Sequence, residues 1–171
     1  MSIIVCLPGS AAGRVDEAAA EAMTPFARDG VGAVERDVRD YYRICDGTVG
    51  LPVLAGYEDD PRLIIDRARW DGTPEPGLPG ICAGGPRGLI DFRDALRAKA
   101  AEHEFSLLSS RNVLTLGGSW YELEEAPLHG ACQGRAECIH EPDVGNEHLG
   151  VQSCLLALPG DTLLVNVRCH V

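Results

Sequence analysis

Two apolar stretches, one near each end of the chain, are the clearest hydrophobic patterns in the sequence. Ile3 to Leu7 form an unbroken apolar run that Pro8 and Gly9 stop, and residues 161–170 are rich in Leu and Val. Short continuous runs with β-branched residues are typical of strands that are buried on both faces. We therefore predict that Ile3–Leu7 and Thr162–Cys169 lie side by side in the centre of one sheet.

Apolar positions at helical spacing predict three helices. The first ends near Pro25 and carries the stripe Val15, Ala18, Ala19, Ala22, Met23 and Phe26. A second is expected over Val34 to Cys45, where Gly47 is placed to end it, and a third begins at Asp91. Residues 57–72 leave two interpretations open, because Asp60-Pro61 suits a helix start and residues 63–65 suit a strand.

A hairpin is the strongest local signal in the chain. Residues 112–116 and 119–123 are β-rich runs on either side of Gly117-Gly118, and two glycines suit a two-residue primed turn. Trp120 and Tyr121 alternate along the second run, so we expect one of them to be buried and the other exposed.

These elements predict a single α+β domain over residues 1–171. The sheet is expected to be mostly antiparallel with the helices packed on one face, in the style of a ferredoxin-like sandwich. A chain of 171 residues suits one core better than two. Long loops are expected at about 72–88 and 126–150, where Pro, Gly, His and Cys accumulate.

The chain is strongly acidic. It has 26 Asp and Glu against 15 Lys and Arg, a formal net charge of −11. Because such a surface repels phosphates and anionic lipids, we expect neither a nucleic-acid nor a membrane partner.

The N-terminal residues and the cysteines indicate the cellular compartment that we expect. The N-terminus lacks a basic region, and no window approaches the ~18 apolar residues of a membrane helix, so we expect a cytoplasmic protein. Four of the seven cysteines have apolar neighbours and are predicted to be small core residues in a reducing compartment: Cys6, Cys82, Cys154 and Cys169.

A cluster of metal-ligand residues lies in the second predicted loop: His129, Cys132, Cys138, His140 and His148. Zinc takes four such ligands in a tetrahedron, commonly from a loop. The spacing lacks the Cys-x2-Cys pair of specific zinc motifs. The alternative interpretation is a solvated loop with incidental Cys and His residues.

Arginines and tryptophans supply the candidate ligand-binding residues. Arg14 follows a glycine-containing loop before the first helix, where an anion could bind, and Arg87 follows Gly84-Gly85-Pro86. The alternatives are a plain strand-to-helix turn at Arg14 and a rigid turn at Arg87. Trp70 beside Arg69, and Trp120 on the hairpin, suit a recognition surface, and the alternative for these aromatics is core packing.

No complete catalytic motif is present. Gly118-Ser119-Trp120 does not complete the Gly-x-Ser-x-Gly elbow of serine hydrolases, and no surrounding pattern selects one Cys–His pair as a nucleophile. No catalytic residue is therefore assigned, and the sequence favours a non-enzymatic protein.

Several short pieces, in order along the chain, carry a family resemblance. They are Leu7-Pro8, Thr24-Pro25-Phe26, Arg69-Trp70-Asp71-Gly72, Cys82 with Gly84-Gly85-Pro86-Arg87, Leu89-Ile90-Asp91, Gly118-Ser119-Trp120 and the C-terminal residues 158–171. In these pieces the chain resembles an uncharacterised family of small proteins from actinobacteria and their phages. The resemblance implies a phage- or mobile-element-linked cytoplasmic protein and transfers no catalytic residues.

We therefore expect a binding or accessory protein, without a cofactor, whose acidic surface engages a basic protein partner. The alternative is a zinc-binding protein, structural or hydrolytic, that uses the cluster from His129 to His148. A third option is a small-molecule or nucleotide binder that uses Arg14 or Arg87.

Overall fold

The computed structural model describes residues 2–26, 41–44, 50–65, 78–92, 112–122, 128–129 and 155–170. The longest α-helix in these segments is α1 (Val15–Met23), residues 155–157 form a short helical turn, and 3-10 helices lie at Gly9–Ala11, Thr24–Phe26 and Arg87–Leu89. The strands are β1 (Ser2–Leu7), β2 (Tyr41–Ile44), β3 (Leu51–Pro52), β4 (Ile81–Cys82), β5 (Gly84–Pro86), β6 (Asn112–Leu114), β7 (Ser119–Glu122), β8 (Leu128–His129) and β9 (Leu163–His170).

The first and last strands pair in the middle of the main sheet. β1 runs antiparallel to β9, with a register that extends from Ser2 opposite Arg168 to Leu7 opposite Leu163. On its other side β1 pairs with β6 in parallel, with Val5 opposite Leu114. The predicted placement of the two apolar runs side by side is confirmed.

The main sheet has the strand order β2-β9-β1-β6-β7-β8. β5 also pairs with β9, alongside its first residues, while β2 pairs with its last ones. Among the described residues, every pairing in this sheet except β1 with β6 is antiparallel. The mixture of this open sheet with α1 confirms the α+β class.

One face of the central strands packs against α1. Ile3 and Val5 of β1 form a buried cluster with Ala19 and Met23 of the helix and with Val165 of β9. Small helical side chains let the helix approach the sheet closely. Each Ile or Val buried in this way contributes about 1.5–3 kcal/mol of hydrophobic free energy.

The opposite face of the same strands is covered by other elements. Ile4 and Cys6 of β1 pack with Leu51 of β3, Cys82 of β4 and Leu155. β3 and β4 form a separate two-stranded sheet, and residues 155–157 are helical. Successive side chains of β1 point alternately into these two cores, which explains why its apolar run is continuous.

The first predicted helix has the expected extent. α1 ends at Met23, and the chain continues into the 3-10 helix Thr24–Phe26 that contains Pro25. The prediction of a helix from Val34 to Cys45 is wrong over Tyr41–Ile44, which form β2 beside β9. The part of that segment before Tyr41, and Cys45 itself, lie outside the described residues.

The hairpin forms where it was predicted, but its loop is longer. The Thr115 N–H donates to the Ser119 carbonyl (2.9 Å), and the Gly118 N–H donates to the Thr115 carbonyl (3.0 Å). Of the two glycines, only Gly118 has a positive φ, at 80°. These features match a three-residue loop with a left-handed last residue, rather than the predicted two-residue turn.

The segments predicted as long loops contain short strands. β4 and β5 lie in the stretch 72–88, where the 3-10 helix Arg87–Leu89 also begins, and β8 lies in the stretch 126–150. Residues 72–77 and 130–150 lie outside the described residues. In the ambiguous stretch 57–72, Ile64 forms an isolated antiparallel bridge with Gly84, in agreement with the strand interpretation at that position.

Three of the four cysteines predicted to be core residues are buried: Cys6, Cys82 and Cys169. The Cys82 thiol donates to the Leu51 carbonyl, with a sulfur–oxygen distance of 3.5 Å. Cys154 lies outside the described residues. Within the described segments, no helix combines the length and the hydropathy that crossing a bilayer requires.

Candidate functional site

Arg14 takes part in a local ion pair. Its Nη1 lies 3.2 Å from Oε1 of Glu21, two turns along α1, and both side chains are exposed. The backbone N–H groups of Ala11 and Ala12 donate to the carbonyls of Pro8 and Gly9, so they are not available to an anion. The geometry favours the plain strand-to-helix turn.

A carboxylate also lies beside this turn. A methyl group at Gly9 would stand 2.8 Å from the Asp161 carbonyl oxygen and 3.1 Å from its carboxylate Oδ2. The negative charge of the Asp161 carboxylate therefore opposes the binding of an anion at this turn.

Arg87 is a structural clamp in this fold. Its Nε and Nη2 both donate to the Leu158 carbonyl, at 3.0 and 2.6 Å. The Arg87 and Gly88 N–H groups donate to the carbonyls of Thr162 and Gly160. These contacts fix the segment against the start of β9 and favour the rigid-turn interpretation over a ligand site.

The glycines before Arg87 let β5 approach β9. A methyl group at Gly84 would lie 2.5 Å from the Leu164 carbonyl oxygen and 3.1 Å from Cα of Val165. Only glycine fits this approach without moving backbone atoms. The glycines therefore serve sheet pairing.

Trp120 belongs to the core. Its side chain is 0% exposed, and its ring packs against Phe26 with centroids 5.0 Å apart. The interpretation of Trp120 as part of a recognition surface is therefore wrong, and the alternative of core packing is confirmed for this residue. Arg69 and Trp70 lie outside the described residues.

The predicted metal cluster lies almost entirely outside the described residues. The backbone of His129 belongs to β8 and pairs with Ser119 of β7. Cys132, Cys138, His140 and His148 are not described. In the segments that are described, no group of three or more His, Cys, Asp or Glu side chains could hold a metal ion.

Residues 54–63, which we call the acidic loop, have a well-defined backbone and an exposed, charged tip. Three consecutive turns close with N–H to carbonyl bonds from Tyr57 to Leu54, from Asp60 to Tyr57 and from Leu63 to Asp60, at 3.0–3.1 Å. Both ends of the loop are anchored, because the Leu54 N–H donates to the Leu89 carbonyl and the Ile64 N–H to the Gly84 carbonyl. Local hydrogen bonds thus hold one loop shape.

Side chains stabilise the turns of the acidic loop. Asp60 accepts two hydrogen bonds from the Arg62 guanidinium, at 2.9 and 2.8 Å, and one from its backbone N–H at 2.9 Å. The side-chain bonds, followed by the backbone bond, lower the pKa of Asp60 to about 2. Glu58 accepts from the N–H of Gly56, whose φ is +89°, at 2.8 Å.

The tip of the acidic loop presents an aromatic ring beside negative charge. Tyr57 is 47% exposed, and Glu58 and Asp59 are exposed next to it. Aromatic side chains of this kind are common anchors in protein interfaces, and flanking carboxylates steer a positively charged partner. The tip is the best-defined candidate contact surface among the described residues.

The sequence patterns described above do not single out Tyr57 or this loop. The available signal is the run Tyr57-Glu58-Asp59-Asp60, in which an aromatic residue precedes three acids. The turn bonds that make the run rigid depend on anchors at Leu89 and Gly84, which are distant in sequence.

Comparison with known protein families, with curated proteins and with solved structures finds no match for this chain.

Proposed function

We propose that this protein is a non-enzymatic binding or accessory protein that engages a basic protein partner through the acidic loop. The observation that carries the proposal is the exposed Tyr57 flanked by exposed Glu58 and Asp59 on a hydrogen-bonded loop. A net charge of −11 supports it, because long-range attraction would raise the association rate with a positively charged partner.

Loop rigidity favours binding. A loop held in one shape loses little conformational entropy when a partner docks, so more of the contact energy appears as affinity. Tyr57 supplies apolar contact area and a polar hydroxyl, while the carboxylates of Glu58 and Asp59 can pair with Arg or Lys. The loop is thus suited in charge to a basic partner.

The proposed setting follows from the family resemblance. The protein would act in the cytoplasm, linked to a phage or mobile element, and its partner would be a basic host protein.

Capture with matched variants tests the proposal. The immobilised full chain is exposed to an actinobacterial lysate at moderate salt, beside the variant Tyr57→Ala and the double variant Glu58→Gln, Asp59→Asn. We expect one basic protein to be retained in stoichiometric amount by the unmodified chain and lost from both variants. Retention should also weaken as salt is raised, because the contact is electrostatic.

The control removes equal charge from another exposed surface. Asp16→Asn with Glu17→Gln neutralises two exposed carboxylates in the first turn of α1. This control should retain the partner. The proposal fails if no protein is captured in stoichiometric amount, or if the loop variants capture it as well as the control does.

The alternative function is zinc binding by His129, Cys132, Cys138, His140 and His148. It is supported by the number of soft and borderline ligands in a short stretch of sequence. The zinc would stabilise the fold or take part in hydrolysis. Measurement of the zinc content of the purified protein distinguishes this alternative from the proposed binding function.

A further inference from the structure

The sequence contains a single Asp-Pro pair, Asp60-Pro61, and it lies in the acidic loop. The bond that joins the two residues is a tertiary amide, whose nitrogen takes up a proton more readily than that of an ordinary peptide bond. The aspartate carboxylate can reach its own backbone carbonyl carbon by closing a five-membered ring. An Asp-Pro pair therefore contains both the nucleophile and the leaving group for cleavage of its own peptide bond.

The turn at this bond prepares the carbonyl for attack. The Asp60 carbonyl oxygen accepts a hydrogen bond from the Leu63 N–H at 3.0 Å, and Pro61 occupies the second position of the turn that this bond closes. Negative charge develops on the carbonyl oxygen when a nucleophile adds to the carbon. A backbone N–H that already points at the oxygen stabilises this charge.

Arg62 holds the nucleophile. Its Nε donates to Oδ1 of Asp60 at 2.9 Å, its Nη2 donates to Oδ2 at 2.8 Å, and its backbone N–H donates to Oδ1 at 2.9 Å. Both carboxylate oxygens are thus engaged. Charge-assisted hydrogen bonds of this kind fix the side chain and reduce the nucleophilicity of the oxygens, so Arg62 opposes the attack.

The two side chains of the pair differ in exposure. The side chain of Asp60 is 13% exposed, whereas that of Arg62 is 59% exposed. Arg62 is the charged group that lowers the pKa of Asp60, and Tyr57 is a titratable neighbour of Arg62. Because exposed ion pairs are weak, the guanidinium can leave the carboxylate for solvent. Its departure frees the nucleophile and lets water reach the bond.

We propose that the Asp60-Pro61 bond is a self-cleavage site that Arg62 holds inactive. In the reaction, a carboxylate oxygen of Asp60 bonds to the backbone carbonyl carbon of the same residue. The bond from that carbon to the Pro61 nitrogen breaks, and the nitrogen takes a proton from the solvent. One water molecule then opens the cyclic anhydride left at Asp60 to two carboxyl groups.

Cleavage would open the acidic loop without separating the two parts of the chain. The loop is anchored on both sides of the bond, by the Leu54 N–H at the Leu89 carbonyl and by the Ile64 N–H at the Gly84 carbonyl. β1, before the bond, pairs with β6 and β9, after it. The consequence for a bound partner rests on the proposed function, whereas the cleavage itself does not.

Mass spectrometry of the full chain, incubated at mildly acid pH, tests the site. We expect the fragments 1–60 and 61–171, whose summed mass exceeds that of the intact chain by one water. Size-exclusion chromatography of the same sample before denaturation should show a single species. Arg62→Gln should form the fragments about threefold faster or more, because the weak exposed ion pair no longer restrains the carboxylate.

Matched variants connect the cleavage to the loop geometry. Arg14→Gln removes an arginine from a different exposed ion pair and should leave the rate unchanged. Asp60→Ala lacks the nucleophile and Pro61→Ala lacks the better leaving group, so neither should yield the fragments at a comparable rate. In urea, where the contacts of the loop are absent, Arg62→Gln and the unmodified chain should be cleaved equally fast.

Circular dichroism checks that Arg62→Gln is folded, and Arg62→Lys, which keeps the charge without the fork, should be cleaved at an intermediate rate. Should Arg62→Gln fail to fold, Arg62→Lys decides the question. The site is refuted if Arg62→Gln yields no fragments at this bond, if it is cleaved no faster than Arg14→Gln, or if its advantage persists in urea. Capture of a partner by the intact loop is measured separately, so either proposal can fail alone.

Discussion

The rings of Phe26 and Trp120 pack against each other with their centroids 5.0 Å apart and their planes tilted by 50°. The contact joins the 3-10 helix after α1 to the hairpin strand β7, on the face of the sheet that the helix covers. Both side chains are almost fully buried. Among the described residues the Trp120 indole N–H has no hydrogen-bond acceptor, and the contact of the ring with Phe26 is apolar.

Phe26→Ala should therefore destabilise the fold strongly. Removing a buried ring leaves a cavity against Trp120, and such changes cost about 3–5 kcal/mol. Urea unfolding measures the loss. Leu116→Ala, at a hairpin-loop position that is 45% exposed, is the control and should change the free energy of unfolding by less than about 0.5 kcal/mol. Similar losses for the two variants would contradict the packing described.

Gly84→Ala should also destabilise the protein, for a backbone reason. The added methyl would stand 2.5 Å from the Leu164 carbonyl oxygen, which cannot move without breaking the pairing of β5 with β9. We expect a loss of about 1–3 kcal/mol, the usual cost of overpacking.

Gly13→Ala is the control for Gly84→Ala, because no atom lies within 4 Å of the added methyl and the position has no positive φ. Chemical denaturation of both variants makes the comparison. If Gly84→Ala is as stable as Gly13→Ala, β5 does not approach β9 as described.

The titration of Asp60 reports on the shape of the acidic loop. Hydrogen bonds from Arg62 lower the pKa of this carboxyl from 3.8 to about 2. Because the folded-state pKa is the lower one, the contact stabilises the loop at pH values above 3.8 and is lost as the pH falls through about 2. NMR detection of the carboxyl carbon measures the value directly.

Arg62→Gln should return the pKa of Asp60 towards 3.8, since the guanidinium that favours the ionised form is gone. Arg14→Gln, which removes a distant arginine, should leave the pKa of Asp60 where it is. A pKa near 3.8 in the unmodified chain would show that the loop is not closed by this pair.

Metal analysis decides the zinc alternative. If the cluster binds zinc, protein purified without added metal should contain about one zinc per chain. Chelation should then lower its melting temperature, because metal binding is coupled to folding. Cys132→Ser with Cys138→Ser should remove the metal, while Cys82→Ser, at a buried core thiol, should retain it. Less than about 0.1 zinc per chain, with melting unchanged by chelator, removes the alternative.

Long apolar runs made the central pair of strands predictable. Residues 3–7 of β1 and 163–165 of β9 are buried on both faces, so their side chains had to be apolar. The helical spacing of apolar residues from Val15 onward made α1 predictable in the same way. The parallel pairing of β1 with β6 could not be inferred, because a continuous apolar run does not indicate the direction of its neighbour.

The wrong helix over Tyr41–Ile44 has a tertiary cause. A few apolar positions there fit helical spacing, but Tyr and Ile also favour strands, and the free edge of β9 supplies the partner that decides between them. β3, β4 and β5 were missed because strands of two or three residues carry too few positions for a period.

The candidate ligand residues show the same limit. The sequence indicated which arginines could bind anions, but not that Arg14 pairs with Glu21 and that Arg87 clamps the Leu158 carbonyl. That Arg43 of β2 stands opposite Arg168 of β9 is likewise known only from the strand register. Residues separated by most of the chain cannot be matched from spacing alone.

The proposed binding through the acidic loop is tested most directly by amide NMR of the full labelled chain, titrated with the basic protein that it captures. We expect the largest shift changes at Tyr57, Glu58 and Asp59, and their disappearance in the Tyr57→Ala chain. Changes that leave residues 54–63 untouched while other surfaces respond would contradict the proposal.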